Sequence, residues 1–184
     1  MVRLNARQLR TTEPPDEAHR SLRRQPVHIV LDNVLDTYNI GSVFRLADAV
    51  AAEKLWLCGE TPAPPNTRIR KASVNTWKWI PWEQAPSAVD AINQIKSRHS
   101  RISVVAVEQD RRSIPYRMPA YKLPVAVVVG NETFGVSKPV LDLADIIVEL
   151  PMWGINNSLN VMVSLGIVLY EITKVFDKRN PDSR

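Results

Sequence analysis

From residue 27 onward, short apolar runs alternate with longer segments whose apolar residues recur every three or four positions. Residues 27–31 (VHIVL) predict a buried strand. Residues 41–52 predict a helix that puts Val43, Leu46, Ala47 and Val50 on one face. Residues 54–57 predict a second strand ending near Gly59, and Pro62, Pro64 and Pro65 predict a loop after it. Residues 87–96 predict a helix, with Ser87 and Asp90 resembling a capping box. Residues 102–107 predict a strand. Residues 125–129 are five apolar residues in a row, the pattern of a central parallel strand buried on both faces. Ser137 is expected to cap a short helix through Ala144, with Pro139 tolerated in its first turn. Residues 146–150 predict another strand, and 158–176 a long, largely apolar helix with Ser158 as its N-cap. Strands alternating with helices imply an α/β domain, a mainly parallel sheet flanked by helices. Ligands of such sheets bind beyond the carboxyl ends of the strands, which directs attention to the loops after Leu31, Val107, Val129 and Leu150.

Composition narrows the class. The chain has 184 residues, 45% hydrophobic and 23% charged, which suits one globular domain and excludes disordered or collagen-like structure. No apolar run approaches the ~18 residues that span a bilayer, so no membrane partner is expected. Cys58 is the lone cysteine, and no secretory signal pattern precedes it, which points to the cytoplasm. His19, His28 and His99 are scattered along the chain without cysteine partners, so no metal site is expected.

The formal net charge is +5, and arginine supplies 16 of the 24 basic residues. A basic balance favours a polyanionic partner, and the arginine fork suits phosphate. The plain alternative is an enzyme that is merely basic. Much of this charge falls in residues 1–25, which carry Arg3, Arg7, Arg10, Arg20, Arg23 and Arg24 around Pro14-Pro15. They predict a flexible or partly helical basic arm before one domain over 26–178, with 179–184 as a tail. A transit peptide is the rival reading, opposed by Glu13, Asp16 and Glu17. A solvated tail with no role is the plain one.

Three loops concentrate polar residues. The first runs from Asp32 to Arg45 and holds Asn39 six residues before Arg45. Taken singly, Asn39 reads as a helix cap and Arg45 as a solvated helix residue. The second is Gly130-Asn131-Glu132-Thr133-Phe134-Gly135, where a glycine directly after a buried strand lets backbone approach a ligand. It is neither a dinucleotide-binding GxGxxG nor a P-loop. The third runs from Leu150 to Asn160. Ser158 is explained there as a cap, whereas Asn160 has no evident structural duty.

Together these loops resemble the three motifs of the TrmH/SpoU RNA ribose methyltransferases, of the SPOUT superfamily. The resemblance covers roughly residues 27–175. It implies an α/β fold with a C-terminal deep trefoil knot, which nothing in the periodicity shows and which runs against the rule that chains avoid threading loops. It also implies S-adenosylmethionine as methyl donor, a homodimer, and transfer to a ribose 2′-hydroxyl in structured RNA, tRNA or rRNA. Val107, Gly130, Leu150 and Leu159 then match the donor-binding positions. Asn39, Arg45, Glu132, Ser158 and Asn160 match the catalytic and substrate-positioning ones. In the family the motif-one arginine is proposed as the base. A guanidinium with a pKa above ~12 resists that role, so Arg45 is expected to clamp an RNA phosphate and orient the hydroxyl. Asn39 is expected to hold Arg45 or the ribose. Glu132 would order the first loop or offset positive charge near the sulfonium, and Ser158 and Asn160 would bond the nucleotide or fix neighbouring loops. A non-catalytic RNA-binding protein on the same scaffold is the alternative. Trp77, Trp79 and Trp82 are expected to pack against the core or a dimer partner rather than stack on bases. Arg68, Arg70 and Lys71 are candidates for RNA contact.

Overall fold

Strands β1 (Gln25–Asp32), β2 (Ala52–Cys58), β3 (Trp82–Ala85), β4 (Ser103–Val107), β5 (Ile114–Pro115), β6 (Val125–Gly130) and β7 (Ile146–Glu149) form one sheet. Its order is β3-β2-β1-β6-β4-β7-β5, and every neighbouring pair is parallel. These elements come from a computed structural model that describes residues 4–12 and 22–179. The helices are α1 (Ala6–Thr11), α2 (Thr37–Ala49), α3 (Thr67–Ser73), α4 (Ala88–Arg98), α5 (Lys138–Leu143) and α6 (Val161–Arg179), with a 3-10 turn at Thr76–Lys78. Among the described residues no helix is long and apolar enough to cross a membrane.

The apolar run at 125–129 behaves as expected: all of β6 is buried, because it lies between β1 and β4 and is covered on both faces. Alternation along the strands sorts side chains into two cores. Val27, Ile29 and Leu31 join Val127 and Val129 beneath Phe44 of α2 and Leu165 and Leu169 of α6. Val30, Trp56, Val104 and Val128 face Ala91, Ile92 and Ile95 of α4 and Val140 of α5. Since β1, β6 and β4 are parallel and in register, with Leu31 opposite Val129 and Asp32 opposite Gly130, their carboxyl ends share one edge of the sheet.

Several boundaries differ from the sequence reading. Helix α2 begins at Thr37, not near Gly41, because the Asp36 carboxylate caps the Tyr38 and Asn39 amides at 2.7 and 3.1 Å. The stretch after the prolines is not simple loop. It carries α3, the 3-10 turn and β3, which pairs with the outer side of β2. Trp77, Trp79 and Trp82 pack half-buried against the main core there. Trp79 donates to Asp48 at 2.7 Å, and the Trp82 ring meets Phe44 edge-on. The three rings therefore serve packing. Ser137 stands at the N-cap of α5, but no side-chain capping bond forms. Its amide instead donates to the buried Asp32 carboxylate at 2.8 Å.

Within residues 1–25, α1 is a short helix opened by an Asn5–Gln8 capping box, and Asn75 donates to the Leu9 carbonyl at 2.8 Å. Arg24 is half-buried and donates to the carbonyls of Ala52 and Trp79, which ties the start of β1 to β2 and the turn before β3. Residues 1–3, 13–21 and 180–184, which include about half of the arm and all but one residue of the tail, lie outside the described residues.

Candidate functional site

At the carboxyl ends of β4, β6 and β7 the chain encloses a cavity of about 400 Å³. Val107, Glu108 and Gln109 line it from the end of β4. Val129 to Thr133 and Gly135 line it from β6, and Glu149, Leu150 and Met152 from β7. The segment from Asn156 to Asn160 leads into Val161 and Ser164 of α6 and closes it. The turn after β6 is tight. Asn131 and Gly135 exchange backbone hydrogen bonds of 3.0 and 2.9 Å. A Cβ at Gly130 would collide with the Gly135 carbonyl, and Gly135 itself has φ +69°. Gly130 must be glycine because the two backbone segments touch, and Gly135 because its φ is positive.

A chain of hydrogen bonds joins all three loops. The Glu132 carboxylate accepts from the Leu35 amide at 3.1 Å, the Asp36 amide at 3.0 Å and the Asn39 carboxamide at 3.1 Å. The Asn39 oxygen accepts from Asn160 Nδ2 at 3.0 Å. The Asn160 oxygen accepts from the Met162 and Val163 amides at 2.9 and 3.3 Å. Burial pushes the Glu132 carboxyl up, but the donors from Leu35, Asn39 and Asp36 outweigh it and hold the group below its ordinary value. Glu132 is therefore an anion at neutral pH.

This network corrects one expectation. The N-cap of α6 is Asn160, not Ser158, and the helix starts at Val161. Ser158 sits two residues upstream, where its amide and hydroxyl both donate to Asn156 Oδ1 at 3.0 Å. Asn160 thus has a structural duty, and its remaining donor reaches Asn39.

Of the nine residues singled out in the sequence, seven line the cavity: Val107, Gly130, Glu132, Leu150, Ser158, Leu159 and Asn160. Asn39 is buried beside it, with both ends of its amide engaged. Arg45 lies outside the lining, on the exposed side of α2. Glu108, Gln109, Asn131 and Glu149 also line the cavity, although the sequence did not single them out. The first two follow Val107 at the end of β4, a loop already marked by the strand-end rule, but no motif pointed to them. The lining contains Glu108, Glu132 and Glu149 and, among the described residues, no Lys, Arg or His, in a chain of net charge +5.

The histidines are not all scattered in space, contrary to the sequence expectation. His28 of β1, Glu53 of β2 and His99 after α4 converge toward the amino ends of the strands. Glu53 Oε1 lies 3.2 Å from His99 Nε2 and 3.6 Å from His28 Nε2. The Trp56 indole donates to His28 Nδ1 at 3.4 Å, so the proton of the neutral ring sits on Nε2 and faces Glu53. A metal-ligating imidazole has the reverse arrangement, with its outer nitrogen donating. Burial pushes the His28 pKa down to about 4, against the pull of Glu53 and with help from His99, Lys54 and Arg98. His19 lies outside the described residues.

Comparison with known proteins gives consistent findings. The family described as SpoU rRNA Methylase matches residues 26–170. The TrmH family protein YacO of Bacillus subtilis is 32% identical over 157 residues, which cover 85% of this chain and 61% of that protein. The chain thus spans less than two thirds of that relative's length. A tRNA (guanosine(18)-2'-O)-methyltransferase of Aquifex aeolicus is 30% identical over 168 residues, 88% of this chain and 75% of the relative. The solved TrmH/SpoU tRNA modifying enzyme of A. aeolicus superposes with a TM-score of 0.78 at 27% identity, over 97% of this chain and 86% of that one. The SpoU methyltransferase AviRb from Streptomyces viridochromogenes, solved with AdoMet, gives 0.77 at 25% identity, over 90% and 66%.

Proposed function

Because this chain belongs to the SpoU rRNA methylase family, we propose that it methylates a ribose 2′-hydroxyl of structured RNA, transfer or ribosomal, with S-adenosylmethionine as donor. The observation that carries this reading is the convergence of three separate loops on one cavity at the carboxyl edge of the sheet. The cavity suits the donor chemically. Apolar walls from Val107, Leu150, Met152 and Leu159 match a flat adenine, and the backbone at Gly130 is free to approach it. A lining of carboxylates without basic residues favours a ligand that carries a cation. Val107, Gly130, Leu150 and Leu159 would hold the donor, which supplies an electrophilic sulfonium methyl when bound.

The chain's own residues then bind and orient. Arg45 is exposed and makes no ion pair among the described residues, so its fork is free to take an RNA phosphate. That clamp would hold the 2′-hydroxyl in line for attack, and its contribution is positional. Asn39 and Glu132 act as positioning residues that keep the first and second loops in register, while Ser158 and Asn160 shape the third. An intact polar network of this kind favours catalysis over a binding-only protein.

Further parts of the reading rest on the resemblance. We read 1–25 as an RNA-contacting arm, 26–178 as the methyltransferase domain and 179–184 as a tail. The C-terminal segment is read as threading a loop to form a deep trefoil knot, supported by the return of α6 onto β4, β6 and α2. Arg68, Arg70 and Lys71 lie on α3 as candidate RNA contacts, with Arg70 stacked 6.0 Å from the Trp77 ring centre. We further read the protein as a cytoplasmic homodimer. The exposed Leu35, Tyr38, Val163 and Tyr170 on and near α2 and α6 support pairing, and sedimentation equilibrium should return twice the protomer mass.

The deciding experiment is transfer of labelled methyl to total RNA lacking the modification, followed by nucleoside analysis. Wild type should yield a 2′-O-methylnucleoside, and Arg45→Ala should lose at least about a hundredfold in rate. Substantial transfer by Arg45→Ala would remove the arginine's role. Absence of both transfer and donor binding in folded wild type would overturn the reading.

A further inference from the structure

We propose that Gln109 is a positioning residue for the methyl donor, bracing the third cavity loop against the second. The inference rests on the function proposed above. The third loop supplies Leu150, Met152 and 156–160 to the cavity, yet every residue from Trp153 to Asn160 is exposed. Trp153 and Ile155 point almost wholly into solvent. Apolar burial therefore does not place the loop beyond Met152, and polar ties must. Asn160 fixes its far end through Asn39. Asn156 and Ser158 bond to each other. Among the described residues, the tie from the middle of the loop to the rest of the fold is the one Gln109 Nε2 donates to the Asn157 carbonyl, at 2.5 Å.

Gln109 is itself held. Its amide donates to Glu108 Oε1 at 2.8 Å, while Glu108 Oε2 accepts from the Val136 amide at 2.7 Å. Glu108 also packs so closely on Gly135 that a Cβ there would collide with its carboxylate. Two adjacent residues at the end of β4 thus link the turn after β6 to the loop after β7, both of which line the cavity. A ligand that binds between two walls gains affinity when their spacing is preset.

Gln109→Glu is the test, since it keeps the shape and replaces the donor with an anion facing the Asn157 carbonyl. Gln109→Lys restores a donor. Two quantities are read: S-adenosylmethionine affinity by calorimetry, and amide hydrogen exchange across 155–159 without any ligand. For Gln109→Glu the expected result is donor affinity weakened about three- to tenfold, as for one lost hydrogen bond, together with faster exchange at 155–159. Gln109→Lys should recover part of both, and kcat at saturating donor should change less than the donor KM. Unchanged exchange overturns the brace. Faster exchange with unchanged donor affinity overturns its role for the donor. Should wild type bind no S-adenosylmethionine, the functional reading falls, and the exchange comparison alone decides the brace.

Discussion

Asn39 spends its whole carboxamide on neighbours: the nitrogen donates to Glu132 and the oxygen accepts from Asn160. No other residue type of that size both donates and accepts at fixed positions. An aspartate would face the Glu132 anion, and an alanine would leave Asn160 unpaired. The residue thus works by holding other residues, which is why its meaning is invisible without its partners. His28 shows how burial sets chemistry at a single position. Its folded pKa of about 4 lies below the ordinary value of 6.5. Between those two values the unfolded chain takes up a proton that the folded chain refuses. Stability should therefore hold above pH 6.5 and decline as pH falls toward 4. Urea midpoints at pH 7 and pH 5 should fall further for wild type than for His28→Gln, which keeps an acceptor for Trp56 but does not titrate. Equal declines in both proteins would remove His28 as the cause.

At the scale of elements, the start of α6 carries two functions on one side chain. The Asn160 oxygen caps the helix, and its nitrogen reaches Asn39. Asn160→Asp separates them. The carboxylate still caps, and its charge suits a helix N-terminus, but it cannot donate to Asn39. Stability in urea should stay within about 1 kcal/mol of wild type, while methyl transfer falls about tenfold or more. Loss of stability with transfer intact would reverse the assignment. The same helix shows what a sequence can and cannot tell. Its apolar periodicity is plain, but Ser158 and Asn160 are equally good caps by type, and only the partner Asn39 decides between them. The run at 125–129 was legible because burial on both faces leaves an unbroken apolar string. Strand β3 was not, because an edge strand of four residues, WEQA, has no alternation to read. The loops of the site were legible through a topological rule, that parallel strands present their carboxyl ends together. Glu108 and Gln109 act through main-chain partners far along the chain, which leaves no local signature. The approach of His28 to His99 was hidden for the same reason.

For the whole molecule, the sheet sets where charge can act. The net +5 is not spread evenly: the cavity lining is acidic, while arginines populate the first 25 residues and the exposed sides of α2 and α3. On the proposed function, a small cationic donor and a polyanionic substrate would be drawn to different places on one surface. Removal of residues 1–21 should leave donor affinity unchanged and weaken RNA binding. It should also reduce the slope of log affinity against log salt by roughly one for each phosphate no longer neutralised. Titrations of full-length and shortened protein at three salt concentrations would show this, and an unchanged slope would confine RNA recognition to the folded domain.

The bond between Asn39 and Asn160 spans 121 positions. During synthesis the amino-terminal strands leave the ribosome long before the residue that completes the network. Until Asn160 emerges, Asn39 has no partner for its oxygen and the third wall of the cavity does not exist. On the proposed function, a chain cut short before Asn160 would lack the completed donor cavity, and methyl transfer would wait on the residue that closes it.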